Sequence, residues 1–526
     1  MSPVTAPDSD CAGKGRVDMT TLAPPPSQHL RPGIAYTASV VFDKGFSIIT
    51  IPLVASFLAP TDYGQLDIVV SVIEFSGLVL ALGVADTLIR FASAVDTVAE
   101  RQRCAAQLLG TALVLALVLG GLLQLAAPWI AAALNIQVGL PALRIGLAGA
   151  TVTALIETPL IWLRLNQRSD LYLGFVLTRA CGQVALMWCV LAAGWGSDGL
   201  LLANGGAMLL FATCLVGWQL SSTGIALSRQ AVVRIGTYGL PLVGAGLAMF
   251  ALGSGNRWFM AGRITDAEIA FLALAFKLAL AAPLLLQPFA LWWNPQRLAA
   301  LTAPGGLEKS ATAWGWGVSM LILSALAVTL GGPVLIHLAL PPAYAGAVVY
   351  LPFAVLVCAL NELNSLCNVG AYAKANGLYV FAANAAGAAT AIVGYWLLVA
   401  PFGVPGVLAA MIAGHLVRLT MFTVIGRTIA PIRYPVLPGL AAAAGAVAAI
   451  WFAPATTDVL ARVLWSAVAI PAVVSGMLAL RLIGIPAGVL PQMPVFLIST
   501  ARRAVKILPN QKQVSQPLLA KPRLSA

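Results

Sequence analysis

The chain is a succession of long apolar runs separated by short polar segments, from about Ile34 to Ile483. Each run is long enough to cross the hydrocarbon core of a bilayer, which takes about 20 helical residues. Long runs such as Ala105 to Ala133 lack the alternation that marks the strands of a membrane barrel. The pattern predicts an all-α polytopic membrane protein with about fourteen transmembrane helices. The predicted spans are 34–58, 66–89, 105–133, 142–163, 171–195, 199–221, 237–260, 268–292, 313–339, 345–369, 378–399, 403–424, 436–453 and 460–483.

The spans group into two lobes with flanking segments. A faint repeat supports parallel lobes, because Tyr36 and Asp62 are matched at a similar spacing by Tyr238 and Asp266. Transporters built from such repeats bind substrate between the two halves. The expected parts are a disordered cytoplasmic N-terminus (1–32), an N-lobe of six helices (33–235), a C-lobe of six helices (236–430), two further helices (431–484) and a basic cytoplasmic tail (485–526).

Composition and charge agree with a membrane location. The chain is 60% hydrophobic and only 9% charged, whereas soluble proteins are roughly a quarter charged. Most of its 30 Lys and Arg residues, Arg418 among them, fall on the side of the N-terminus when the spans alternate. Short basic loops stay in the cytoplasm, so both termini are predicted to be cytoplasmic. The net charge of +12 then reflects topology and affinity for membrane lipids, and no nucleic-acid partner is expected.

The sequence contains no motif typical of an enzyme active site or of a metal site. Seven cysteines and three histidines are scattered without the spacing of metal ligands. No catalytic triad or glycine-rich phosphate loop stands out. We therefore expect a transporter with no catalytic residue, no metal site and no resident cofactor.

Ionisable residues inside the spans are the main functional signal. Each costs roughly 2.5–3.5 kcal/mol at the centre of a bilayer unless a partner or an aqueous cavity receives it. Interhelical ties would explain any single one, but small residues tie helices at lower cost. A wet, charged cavity is therefore favoured. The residues are Asp43, Lys44, Asp67, Glu74, Asp86, Glu157, Arg179, Arg257, Lys277, Glu362 and His415.

Polar side chains also follow one face of several predicted helices. In the tenth span, Asn361, Asn364 and Asn368 recur at helical spacing beside Glu362. Lys277 lies about ten residues into its span, which is roughly 15 Å from the helix start and close to the bilayer midplane.

Several motifs, in order, resemble the polysaccharide-transport (Wzx-type) flippases. The similarity covers roughly residues 33 to 430, and the order and spacing of its motifs are more specific than any one of them. The motifs are Ile51-Pro52-Leu53, Phe57-Leu58-Ala59-Pro60-Thr61-Asp62-Tyr63-Gly64, Leu82-Gly83 with Arg90, Tyr238-Gly239-Leu240-Pro241-Leu242, Phe276-Lys277-Leu278, Pro288-Phe289, Trp293-Asn294-Pro295 and Pro401-Phe402-Gly403-Val404-Pro405-Gly406.

The resemblance implies membership of the superfamily that also holds the MATE exporters and the lipid II flippases. It implies two six-helix lobes in a V, alternating access, and movement of an undecaprenyl-pyrophosphate-linked glycan across the bacterial inner membrane for O-antigen, capsule or exopolysaccharide. Two helices after the twelfth are similar to those of lipid II flippases. The chain departs from their arginine-bearing first helix by having Asp43-Lys44, so their substrate arginines are not transferred.

Our hypothesis assigns roles by charge. The cations would bind the pyrophosphate, since a phosphate removed from water needs cations. The carboxylates would hold those cations in the empty cavity or bind a coupling proton or sodium ion. The cations are Lys44, Arg179, Arg257 and Lys277; the carboxylates are Asp43, Asp67, Glu74 and Glu362; Asn361, Asn364 and Asn368 would contact sugars.

Two other functions stay open at this point. One is ion-coupled export of small molecules of the MATE kind, which calls for a cavity of carboxylates and aromatic faces. The other is a membrane glycan polymerase or ligase, which usually carries a long external loop that the sequence does not provide. The expected partners are a lipid-linked oligosaccharide, membrane lipids, and a polymerase and chain-length regulator of the same pathway.

Overall fold

The computed structural model describes residues 50–95, 97–373, 378–455 and 458–482. Every regular element in these ranges is helical, which confirms the predicted all-α fold. Within the described ranges, twelve helices are long and apolar enough to cross a membrane, and one shorter apolar helix accompanies them. Of the first predicted span, only residues 50–57 are described, and they are helical. Residues 1–32 and 485–526, together with Asp43 and Lys44, lie outside the described residues.

The helices follow the predicted spans in order, and we number them accordingly. They are α1 (50–57), α2 (Pro60–Ser93), α3 (Val98–Ala133), α4 (Leu140–Leu165), α5 (Ser169–Ala192), α6 (Gly196–Thr223), α7 (Arg229–Leu252), α8 (Asp266–Trp293), α9 (Gly306–Ala339), α10 (Ala347–Cys367), α11 (Leu378–Phe402), α12 (Val404–Ile429), α13 (Val436–Trp451) and α14 (Val459–Ala479). Short connections make consecutive helices antiparallel. We call the side where α2 begins the Pro60 end and the side where it finishes the Ser93 end.

Local sequence explains where the cavity-forming helices begin. Pro60 starts α2 at a position where its missing N–H costs nothing, and Asp62 follows in the first turn. Thr265 starts α8 with a capping box: its hydroxyl accepts from the Glu268 N–H at 3.4 Å and donates to the Glu268 carboxylate at 3.1 Å. These caps fix the register of both helices and hence the depth of their charged residues.

Packing divides the helices into two groups that meet along α2 and α8. Helices α2 to α6 pack on one another, and α8 to α12 form a second group. The two helices α2 and α8 run side by side, and Val69 and Leu274 are fully buried in one shared apolar cluster. Helices α13 and α14 pack on the outside of α9. The contact between the two groups is thus mainly apolar and includes a few polar side chains.

Helix α7 belongs to both groups. Ala231 and Ile235 in its first half are buried with Leu88 of α2 and Leu108 of α3. Leu252 in its second half is buried against α11 and α12. A π-helical turn, Ile235–Gly239, lies between the two halves. Such turns interrupt the regular hydrogen-bond ladder of a helix and are common at functional positions.

The interruption in α7 faces an interruption in α2. Regular helix in α2 ends at Ala81 and resumes at Val84, and both Leu82 (φ 48°) and Gly83 (φ 62°) are left-handed. A β-carbon added to Gly83 would lie 2.6 Å from the Gly239 carbonyl oxygen. The two backbones therefore touch where both helices are broken, and glycine is required there for space and for conformation.

We expect Gly83→Ala to destabilise the protein by about 1–3 kcal/mol from backbone strain alone, and by more because of the collision with Gly239. The melting temperature of the purified protein in detergent measures this. Gly121→Ala in α3 is the matched control, because nothing lies within 4 Å of its added β-carbon. Equal melting temperatures for the two variants would show that the contact between α2 and α7 adjusts to the added methyl group without loss of stability.

Candidate functional site

A central cavity of about 610 Å³ lies where α2 faces α7, α8, α10 and α12. It is bounded by both helix groups, as expected for a site between lobes. Six of the predicted site residues line it: Asp67, Glu74, Arg257, Lys277, Asn361 and Glu362. The cavity therefore holds three carboxylates and two strong cations, a mixed rather than a predominantly basic lining.

Arg257 and Asp67 join the two helix groups across one wall of this cavity. The Arg257 Nε atom lies 2.9 Å from the Asp67 Oδ2 atom, and the side chains are only 11% and 6% exposed. Arg257 also donates to the Asn256 side-chain oxygen at 3.0 Å. Removing either partner would leave the other as an uncompensated buried charge, which costs several kcal/mol.

Lys277 makes a second contact with α2. Its Nζ atom donates to the Tyr63 hydroxyl at 2.7 Å and lies 4.7 Å from the centre of the Tyr63 ring. Lys277 comes eleven residues after Asp266, so it lies about 16 Å along α8. A hydroxyl partner leaves the ammonium charge unneutralised, and this cation is the one best placed to take an anion.

Other contacts reinforce the α2 wall toward the Pro60 end. The Trp258 indole N–H donates to Ser71 Oγ at 3.0 Å, and Gln65 Nε2 donates to Asp266 Oδ2 at 3.0 Å. A β-carbon on Gly64 would lie 1.9 Å from the Asp266 carbonyl oxygen, so the two backbones are in direct contact. The helix groups are closed against each other at this end.

A second polar cluster forms the opposite wall, on α10, α11 and α12. Glu362 and His415 line the cavity, and Arg418 lies one turn beyond His415. Arg418 is 5% exposed; its Nε donates to Asn384 Oδ1 at 2.7 Å and its Nη1 to Asn361 Oδ1 at 2.8 Å. This corrects the assignment of Arg418 to the basic face of the membrane, because the residue is buried within α12.

The other two predicted asparagines do not line the cavity. Asn364 is fully buried and donates to the His415 carbonyl at 3.1 Å. Asn368 accepts from Arg297 Nη1 at 3.0 Å, toward the Ser93 end. Asn361 does line the cavity, although its side-chain oxygen is occupied by Arg418. The sugar-binding role of all three stays a prediction.

Arg179 lies apart from the central cavity. It is on α5, with its guanidinium carbon 6.0 Å from the centre of the Phe211 ring on α6. Within the described residues, the cations that line the cavity are Arg257 and Lys277. The proposed roles of Arg179 and of Lys44, which is outside the described residues, stay predictions.

A further cavity of about 710 Å³ lies within the first helix group and shares Val70 and Glu74 with the central one. Asp86 and Glu157 add carboxylates to its lining. Gln183 on α5 donates to Asn204 on α6 at 2.7 Å. Glu74 is thus the polar residue at the junction of the two cavities.

Comparison with known proteins gives a family and a fold. Residues 53–287 match the profile of the family described as "Polysaccharide biosynthesis protein". A solved structure of the lipid II flippase MurJ in an inward closed conformation aligns with 85% of this chain and 98% of its own, at 11% identity and a TM-score of 0.64. An inward-facing MATE multidrug transporter aligns with 74% of this chain and 94% of its own, at 15% identity and a TM-score of 0.57. No curated protein sequence matches the chain.

These findings confirm the resemblance read from the motifs. The lipid II flippase and MATE structures establish the fold, and the family match adds the connection to polysaccharide biosynthesis. The chain is a multi-pass membrane protein whose residues 53–287 match the polysaccharide biosynthesis family, and its fold is similar to that of a lipid II flippase and a MATE transporter.

Proposed function

We propose that this protein moves a pyrophosphate-linked lipid oligosaccharide across the bacterial inner membrane by alternating access, with both termini in the cytoplasm. The observation that supports it most directly is the double use of Arg257 and Lys277. Both line the central cavity, and both contact α2 at the Pro60 end. The groups suited to an anionic substrate are therefore the groups that hold the two lobes together.

A diphosphate would compete with the α2 partners for these cations. Arg257 binds a single carboxylate through one nitrogen, whereas a guanidinium can bind phosphate oxygens through two. Lys277 holds a neutral phenol, which an anion outcompetes. Substrate entering from the Ser93 end would displace Asp67 and Tyr63 and so release α2 from α8.

Release of these contacts would open the Pro60 end, which is the periplasmic end in the proposed orientation. The contacts that then remain on α2 at that end include neutral ones, such as the hydrogen bond from Trp258 to Ser71 and the backbone contact of Gly64 with α8. Sugars would meet Asn361, Gln287 and Glu74 in the cavity. The proposal also implies a glycan as cargo and, in the same pathway, a polymerase and a chain-length regulator. The geometry of the cavity does not identify any of them.

A MATE-like exporter of small cations is the second candidate. The observation that favours it is the three carboxylates Asp67, Glu74 and Glu362, which outnumber the two cavity cations. Asp67 is already paired with Arg257, and Glu362 lies near buried Arg418, so Glu74, which shares Arg257 with Asp67 and makes no direct ion pair among the described residues, is the carboxylate most available to such a substrate. An exporter would confer resistance to cationic drugs that Glu74→Gln abolishes, without affecting surface polysaccharide.

Lys277→Ala should reduce surface polysaccharide strongly in a strain that depends on this protein. Loss of one charged contact costs about 2–5 kcal/mol, so affinity for inorganic pyrophosphate should fall about 30-fold or more. Calorimetry on the purified protein measures the affinity, and gel analysis of the glycan measures transport. Lys309→Ala, an exposed lysine at the Ser93 end, should leave both unchanged. Normal glycan and normal pyrophosphate affinity in Lys277→Ala would refute the proposed role of this cation.

Asp67→Asn tests the competition itself. Because the amide removes the competing charge but keeps a hydrogen-bond acceptor for Arg257, pyrophosphate should bind several-fold more tightly than to the wild type. If Asp67 only keeps the fold intact, affinity instead falls together with the melting temperature. The two readouts, measured on the same preparation, separate these cases.

Gly64→Ala should separate α2 from α8 at the Pro60 end, because the added methyl group collides with the Asp266 backbone. Ala270 on α8 is fully buried in the cluster shared with α2. In a cysteine-free background, the labelling rate of Ala270→Cys by a maleimide should rise when Gly64→Ala is added. Gly206→Ala, with open space around its added β-carbon, is the control and should not change the rate. An unchanged rate in Gly64→Ala would show that this end does not open.

A further inference from the structure

The wall opposite Arg257 and Lys277 contains a cluster whose groups the proposed binding step does not use. Glu362 on α10 and His415 on α12 face the same cavity. Arg418 lies behind them, one turn after His415, and its charge acts on both groups. Three ionisable side chains thus lie at one wall of the cavity. Contacts that only hold helices together would not require ionisable groups.

His415 is the least satisfied member of this cluster. The residue is 3% exposed, and its Nδ1 atom is buried without a hydrogen-bond partner among the described residues. The side chain of Asn364 holds the His415 backbone carbonyl, so the helix is tied at this position while the imidazole nitrogen stays open. An unpaired buried acceptor is costly unless a donor arrives during function.

The other charged and titratable groups around the cavity are already engaged or lie on the far wall. Asp67 and Arg257 neutralise each other, and Lys277 is held by Tyr63. Glu74 is on α2, at the junction with the second cavity. Near the cluster, Cys358 precedes Glu362 by one turn of α10, and the Tyr372 hydroxyl is close enough to influence Arg418.

We infer that Glu362 and His415 form the proton-binding site of the transport cycle, and that the coupling ion is a proton rather than sodium. The inference rests on the proposed function and specifies the ion whose binding is linked to that of the substrate. One proton from water on one side adds to the Glu362 carboxylate to give a neutral carboxylic acid. His415, whose buried Nδ1 atom has no partner among the described residues, lines the same cavity and offers a second acceptor. The same proton returns to water when the substrate leaves, so no charge or atom is left over.

The surroundings disfavour a metal cation at this wall. Hard cations need a shell of oxygen ligands. The amide oxygens of Asn361 and Asn384 already accept hydrogen bonds from Arg418, and Asn364 Oδ1, which is unpaired within the described part of the chain, is buried behind the cavity lining. The guanidinium itself is a fixed positive charge that repels a second cation. A proton needs a single lone pair and no ligand shell.

Protonation at this wall would favour substrate binding. Ionised Glu362 offsets the charge of Arg418; once the carboxylate is neutral, the cavity carries one more net positive charge. An anionic diphosphate then binds more tightly, and by reciprocity diphosphate binding promotes proton uptake. The cluster thereby couples proton movement to the substrate step at Arg257 and Lys277.

Infrared difference spectroscopy of the full-length purified protein tests the proton site without substrate. The carbonyl stretch of a protonated carboxyl group should appear and disappear across a pH titration in the wild type. Glu362→Gln should remove it, and His415→Gln should retain it with a shifted midpoint. Glu157→Gln, a carboxylate of the other cavity, is the matched control and should keep it. The inference would be overturned if the band persisted in Glu362→Gln. It would also be overturned if adding sodium chloride at constant ionic strength removed the band, because sodium would then compete with the proton.

Calorimetry with inorganic pyrophosphate in two buffers of different ionisation enthalpy tests the coupling. The wild type should take up more protons on binding than Glu362→Gln does. Equal proton uptake in both would overturn the coupling. If pyrophosphate does not bind at all while the Glu362 band titrates as expected, the proton site stands and the proposed substrate is wrong, so the two failures are distinguishable.

Discussion

The constraint that governs this molecule is that a charge inside a bilayer must have a partner, and that here the partner comes from another helix. Arg257 is paired with α2, Lys277 with the Tyr63 hydroxyl of α2, and Arg418 with Asn384 of α11 and Asn361 of α10. Because hydrocarbon offers no water to replace a lost partner, each pair fixes a helix-to-helix position. Any change of shape has to exchange partners rather than simply break contacts.

Such exchange is cheapest where the backbone is already irregular. Helices α2 and α7 are interrupted at the same level, at Leu82-Gly83 and at the π turn Ile235–Gly239. The first half of α7 packs with the first helix group and its second half with the other. Bending at this point would let the two halves of α7 move relative to each other, since the halves are buried in separate apolar clusters.

The sequence predicted the helices well because hydropathy over about 20 residues is a strong signal in membrane proteins. The predicted spans from 66–89 onward each fall on a described helix. The positions of the interruptions were not predicted: α4 is broken at Val152 and α8 at Leu280, each inside a run apolar enough to be predicted as one span. Hydropathy sums over a window and carries no information about a single residue that departs from helical geometry.

The sequence predicted part of the candidate site. There is a physical reason why the positions of some residues were predicted and those of others were not. Depth can be read from a sequence, so Asp67, Arg257 and Lys277 were recognised as intramembrane charges, and the structure places them at the central cavity. The sequence does not show which helix packs against a given face of another helix. Asn361, Asn364 and Asn368 share one face of α10, yet they contact Arg418, the His415 backbone and Arg297. Arg418 was missed because it was counted with the basic residues of the cytoplasmic side, although α12 continues beyond it to Ile429.

The two walls of the central cavity therefore differ in the kind of partner they supply. On the α2 wall, cations are held by groups from the opposite lobe, so exchanging a partner moves a lobe. On the α10 to α12 wall, Arg418 is held by neutral amides within one lobe, so a change in charge there alters the potential of the cavity without moving the frame. The proposed transport cycle would use both kinds of response, one to bind an ion and one to change shape. The distribution of neutral and charged partners across the two walls separates those tasks on a single chain.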